Sequence, residues 1–299
     1  MNRKINLFAS FALILFSICW TTSSANAQSQ SSDVKTNTRM IYHDGTIETF
    51  NNLYLIWYGC WSESCGNSGS TAARQIVTDF VSSLGPTPYF QINSTYPNSS
   101  GQQPGNLNYY RSEADPAYKR GVELTDSDIQ GVVFDSISTG DLPVDPTGIY
   151  IVLASPDVGS GATGFCTQVD TPPHHGSASI FLRTVRYGFV GDPKRCPALE
   201  SPQFVGSRGK LLPTPNDNFT ADAMAAKLAH VLSTIVTDPL GDGWYDKFGL
   251  ENADKCQGKF GDTYTTANGA RANMLVGQRD FLVAQNWLND SHGRCALSQ

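Results

Sequence analysis

Charge is scarce in this 299-residue chain. Asp, Glu, Lys and Arg make up 16% of it and the formal net charge is -6. There is no basic face to neutralise phosphates, so nucleic acid is excluded as a partner. Long hydrophobic runs are equally rare. The one present, Leu7 to Trp20, is shorter than the roughly 20 residues that a membrane-spanning helix needs. No Gly-x-Ser-x-Gly elbow occurs, so a serine triad has no place to start. Gly159 and Gly161 are too sparse for a phosphate cradle, and no P-loop lysine follows them. No segment of 20 to 50 residues repeats, which rules out a solenoid or propeller.

What is present begins with an address. Asn2, Arg3 and Lys4 precede the apolar run, and Ala25-Asn26-Ala27 closes it, so residues 1–27 read as a secretory signal peptide cut before Gln28. No membrane segment is expected once it is removed. Residues 28–39 are polar and predicted to be disordered, and 40–299 is expected to form one globular domain. Cys19 would leave with the signal. Cys60, Cys65, Cys166, Cys196, Cys256 and Cys295 would remain, an even set in an oxidising compartment. Pairing each with its nearest neighbour (60/65, 166/196, 256/295) is the simplest connectivity, and the others stay open. Four Asn-x-Ser/Thr sequons, at Asn93, Asn98, Asn218 and Asn289, are candidate glycosylation sites. Asn218 and Asn289 also suit a helix cap or a turn.

Hydrophobic periodicity gives the elements. Asp44-Gly45 reads as a turn between two strand-like runs, the second being the buried strand Leu53 to Tyr58. Trp57, Tyr58 and Trp61 are read as core rather than as a sugar-stacking platform. A helix is predicted over "TAARQIVTDFVSSLG", capped by Gly85. The segment 86–105, rich in Pro, Asn, Ser and Gly, reads as an exposed loop. Thr125 and Asp128 form a capping box at the start of a second helix. "GIYIVLAS" reads as the central strand, "ASIFLRTVRYGFVG" as a strand or hairpin, and "DFLVAQNWL" as a short amphipathic helix. Strands alternating with helices predict an α/β fold, a mixed sheet flanked by helices.

The third clear helix spans Phe219 to Val236, with Met224, Leu228, Val231, Leu232 and Ile235 as its apolar stripe. His230 falls off that stripe, beside Lys227 and Thr234. A zinc peptidase helix needs ligands four residues apart and a glutamate beside the first to deprotonate metal-bound water. Here the glutamate's place is Val231 and the second ligand's is Thr234. His174 and His175, with Asp238 or Asp246, are the candidates to complete a zinc set with His230. These residues predict a fold of zincin-like flavour, stapled by disulfides, with a degenerate metal-dependent hydrolase as the alternative function. For His174 and His175 an ordinary polar loop is the favoured reading.

"YHDG" (42–45), "LIWYG" (55–59), "IVTDFVSSL" (76–84), "IVLASPDV" with "GFC" (151–166), "HHGS", "FVG" before Cys196-Pro197, "PTPNDN" (213–218), "TDPLGDGWY" and "ADKCQGKFG" run in one collinear order. In this the chain from about residue 40 resembles the plant EXORDIUM, or phosphate-induced, protein family. The resemblance implies a secreted apoplastic or wall-associated protein linked to growth, with no established activity. Its expected partners are a cell-wall polysaccharide or a surface receptor. It also implies that Cys166, Cys196 and Cys256 are framework positions. Cys60 and Cys65 look like an added local bridge, and His230 is a departure from the plant pattern. Exposed aromatics such as Tyr109 and Tyr110 are the expected points of contact with polysaccharide.

Overall fold

The computed structural model describes residues 38–67 and 70–299, apart from the side chain of Cys65. The predicted signal peptide and most of segment 28–39 lie outside the described residues. Thr38 is described, however, and is tied down: its hydroxyl donates to Asp246 and accepts from Lys255 Nζ at 3.1 Å.

β1 (Met40–Tyr42) leads into β2 (Phe50–Tyr58), followed by α1 (Ser70–Leu84), β3 (Asn106–Asp115), α2 (Asp126–Ser138) and β4 (Gly148–Ala154). A hairpin of β5 (His175–Ile180) and β6 (Arg183–Gly191) precedes α3 (Phe219–Thr237) and β7 (Trp244–Asp246). Three short hairpins fill the C-terminal fifty residues or so. The main sheet has the order β3-β2-β4-β6-β5, with only β5 antiparallel. Crossover helices between parallel strands leave both faces covered. This is one mixed α/β domain, and nothing in its architecture supports the zincin-like expectation.

Side chains alternate along each strand, so β2 and β4 feed two cores. Leu53, Leu55, Trp57, Ile149, Ile151 and Leu153 pack under α1 and α3. Tyr54, Ile56, Tyr58, Tyr150, Val152 and Ala154 pack against α2. α3 lies directly on the sheet because β6 carries Gly188 beneath it. A Cβ there would stand 2.9 Å from Ile151 Cδ1 and 3.2 Å from Val231 Cγ2.

Several sequence expectations hold: the buried β2, a fully buried β4, the β5–β6 hairpin, and the capping box, in which Asp128 N–H donates to Thr125 Oγ1 and Thr125 N–H to Asp128 Oδ2. Others are corrected. Asp44-Gly45 does not join a hairpin, because β1 pairs with β7 rather than β2. Gly85 is not a left-handed cap. It is glycine because a Cβ would meet the carbonyl oxygen of Leu107 at 2.4 Å. "DFLVAQNWL" is two short strands, Arg279–Phe281 and Asn286–Leu288, not a helix.

The segment 86–105 is only partly a surface loop, since Tyr89, Phe90, Ile92, Asn93 and Tyr96 are buried. Asn93 Oδ1 accepts from Asn252 and Asn286, at 2.9 and 3.0 Å. A glycan at this fully buried side chain does not fit the fold. Asn218 caps α3 by accepting from Ala221 N–H, and Asn289 donates to Thr95 O. Asn98 orders its own turn by accepting from the N–H groups of Ser100 and Gln102.

Disulfides join Cys166 to Cys196 and Cys256 to Cys295, as nearest-neighbour pairing predicts. The pairing of Cys60 with Cys65 rests on a side chain outside the described set.

Candidate functional site

Open parallel sheets bind ligands beyond the carboxyl ends of their strands, where the strand order reverses. Here that point lies between β2 and β4, and it is filled. Ser155 Oγ accepts from Cys60 N–H at 3.0 Å and donates to Asp157 Oδ1 at 2.5 Å, while Tyr118 donates to Asp157 Oδ2. Gly59, at φ +90°, must lack a side chain, because a Cβ would sit 2.2 Å from Ser155 Oγ.

Two small cavities lie on either side of α3, while wider grooves open beside Asp79 and Arg279 and between Met40, Trp244 and Trp287. One cavity, of about 20 Å³, lies over the end of β6 and is lined by Phe165, Pro173, His174, Phe189, Glu200 and Lys227, among others. The other, of about 30 Å³, is lined by Lys227, His230, Gln203, Gln257, Gln285 and Phe260, again among others. Lys227 forms the shared wall. Its ammonium reaches Asp170 Oδ1 at 3.1 Å, Glu200 Oε2 at 3.2 Å and Thr171 O at 2.9 Å, which uses all three of its protons. Glu200 in turn accepts from Cys166 N–H, so the ion cluster joins α3 to the loop stapled by Cys166–Cys196. The opposite wall of the larger cavity carries Ala253 and Gln257, on either side of Cys256 and its disulfide.

His174, His175 and His230 are not brought together. His174 points to the α2 face, where Asp126 Oδ1 takes its Nε2 at 2.5 Å and the Tyr187 hydroxyl at 2.6 Å. His175, the next residue along an extended chain, points to the α3 face and holds Glu251 Oε2 at 2.9 Å. His230 Nε2 meets Asp254 Oδ1 at 2.8 Å, and Asp254 Oδ2 accepts from Glu251 N–H. Of the carboxylates considered as further ligands, Asp246 is paired with Lys255 at 3.2 Å and Asp238 accepts from Gly243 N–H at 2.7 Å. Among the described residues no group of three or more His, Cys, Asp or Glu side chains is placed to hold a metal ion.

The environments differ in charge as well. Burial works against the protonated His175 ring. Glu251, through its charge and its hydrogen bond, with Asp238 and Asp254 behind it, nevertheless raises the pKa above the ordinary histidine value. Burial pushes Asp238 up to about 6; the Gly243 N–H opposes the rise and the Glu251 charge adds to it. Burial also acts to raise Asp126, but bonds from Tyr187, His174 and Gln130 outweigh it and hold that carboxyl below its usual range.

The residues that sequence reasoning missed are Gln203, Gln257, Asp170, Glu251 and Asp254. Only Asp254 carried a signal, two places before a framework cysteine. Tyr110 is exposed as expected, 62% open and 5.5 Å from the Tyr54 ring, whereas Trp57, Tyr58 and Trp61 are core.

Comparison with known proteins agrees with the resemblance. A family model described as the phosphate-induced protein 1 conserved region matches residues 40–281. Protein EXORDIUM-like 3 of Arabidopsis thaliana is 27% identical over 281 residues, covering 83% of this chain and 80% of that protein. Protein EXORDIUM-like 5 is 28% identical over 280 residues (82% and 74%), and Protein EXORDIUM 28% over 251 (74% and 73%), both from the same plant. No solved structure matches the chain significantly. With a family model spanning most of its length, the chain belongs to the phosphate-induced protein 1, or EXORDIUM, family.

Proposed function

We propose that this protein works outside the cell as a non-catalytic EXORDIUM-like factor in growth regulation, and that it acts by holding cell-wall or surface polysaccharide. The observation that carries the reading is the make-up of the two cavities flanking α3. They offer amides, carboxylates, an ammonium and imidazoles, yet neither is lined by a serine or a cysteine. The lining ammonium is saturated by Asp170, Glu200 and Thr171, which leaves it neither nucleophile nor base and suits recognition better than covalent catalysis. Two disulfides, and the lack of any described helix long and apolar enough to cross a membrane, are consistent with export. Nothing favours the zinc hydrolase alternative, because His230 and His175 are engaged by different carboxylates.

The test is retention of the purified protein on fractionated cell-wall polysaccharide. At least one fraction should retain the native protein and lose it after thermal unfolding. Passage through every fraction would overturn the proposal.

A further inference from the structure

The groove between Met40, Trp244 and Trp287 holds about 390 Å³, within the range of small-molecule sites and enough for a pyranose ring. Its walls are fixed. On one side Thr38 is bonded to Asp246 and Lys255, and Met40 and Tyr42 pair with Asp246 and Trp244, so Arg39 is held between tied residues. On the other, strands Asn286–Leu288 and Arg294–Ala296 pair with Trp287 opposite Cys295, which a disulfide anchors to Cys256.

Two donors in this groove have nothing to bond. Trp287 is only 5% exposed, yet its indole N–H has no hydrogen-bond partner among the described residues. A tryptophan buried this deeply ordinarily finds one. Its ring is held in place, with Lys255 Nζ 4.4 Å from the ring centre and Gly293 so close that a Cβ would stand 2.6 Å from Cζ2. The second donor is Arg39, which is exposed and whose guanidinium has no ion-pair or hydrogen-bond partner among the described residues.

The remaining groups fit the same ligand. His292 keeps Nε2 free, since its Nδ1 is the atom that meets Ser291 Oγ, at 3.0 Å. Asp290, the one carboxylate among the lining residues, is already met by the N–H groups of His292 and Gly293 and by Arg294. The groove therefore has donors and positive charge to spare. Trp244, half-buried and with its own N–H spent on Pro97 O at 3.1 Å, adds apolar ring surface for the C–H groups of a sugar.

From these groups we infer that the groove binds an acidic saccharide, Arg39 pairing with the carboxylate of a uronic acid residue while Trp287 Nε1–H donates to a neighbouring oxygen. The inference rests on the polysaccharide reading above and names the site and the ligand class.

It is tested by isothermal titration calorimetry of the whole protein with oligogalacturonate, with its fully methyl-esterified form, and with neutral xylo-oligosaccharide. Oligogalacturonate is expected to bind, and the uncharged ester about tenfold more weakly or worse. Arg39→Ala should weaken binding of the acid about tenfold or more, the loss of a charge-assisted bond. Trp287→Phe, which keeps a ring and removes the N–H, should weaken it about fivefold. Lys210→Ala, an exposed cation that does not line the groove, should bind as the native protein does. Arg39 is exposed and unpaired, so its variant keeps the native melting temperature and carries the test even where Trp287→Phe is destabilised. If a wall fraction retains the protein but oligogalacturonate does not bind, or binds Arg39→Ala normally, this site is wrong and the broader reading survives. Equal binding of the ester, or binding of xylo-oligosaccharide alone, would overturn the ligand class. If neither oligosaccharide nor wall fraction binds, both fall.

Discussion

His174 and His175 are neighbours in sequence and opposites in circumstance. The first lies on the α2 face, half-exposed, in a network with Asp126, Tyr187 and Gln130 that has alternative donors. The second lies on the α3 face, paired to a Glu251 whose side chain is as covered as its own, with Asp238 and Asp254 close by. A two-residue periodicity separates them. A doublet that looks like a ligand pair is thereby divided between two electrostatic environments.

The largest consequence concerns Glu251. Removing Glu251 leaves the buried His175 ring without its partner, and although the ring can shed its proton in response, Glu251→Ala should cost about 2 to 3 kcal/mol in chemical denaturation. A loss no greater than that of the corresponding change at Asp126 would erase the distinction between the faces.

Next in size is the response to pH. The folded pKa of Asp238 is raised from 3.8 to about 6. Its contribution is therefore fully present below the unfolded value and is lost as pH rises through the folded one. His175 has the same sign, its contribution present below about 6.5 and declining above it. Asp126 is lowered, so its contribution is lost at the other end, as pH falls below about 4. Stability should peak in mildly acidic solution. Asp238→Asn, which keeps an acceptor for Gly243, should gain on the native protein by about 2 kcal/mol between pH 4 and 7. Melting curves that run parallel across that interval would show that Asp238 does not titrate as described.

The smallest effect is at Asp126 itself. Its side chain is 45% exposed, so Asp126→Ala should cost about 1 kcal/mol, from the weakened start of α2 and the released His174. A loss comparable to that at Glu251 would mean that water does not screen this network.

Much of this fold was legible locally. The apolar alternation of β2 and β4, the Thr125 capping box and the stripe of α3 are short-range patterns, and each was found where predicted. The disulfides at Cys166–Cys196 and Cys256–Cys295 were legible as nearest neighbours. What could not be read is how distant segments cover these elements. α3 looked amphipathic, with Lys227, His230 and Thr234 on its polar side. All three are buried, because residues 170–171, 200 and 251–254 fold over them. Asn93 looked like a surface sequon because a tripeptide carries no depth, and its burial is set by Asn252 and Asn286. "DFLVAQNWL" is too short for period alone to separate helix from strand. The candidate cavity was illegible for the same reason: Gln203, His230 and Gln257 come from three separate segments.

The division of the histidines among separate carboxylates is the claim on which the recognition reading most depends. Its most direct test is equilibrium dialysis of the native protein, His175→Ala and His230→Ala against zinc near neutral pH. The account predicts no stoichiometric zinc shared by the two histidines, and the same weak uptake in all three proteins. One tightly held zinc per chain, lost in both variants, would contradict it and restore the hydrolase alternative.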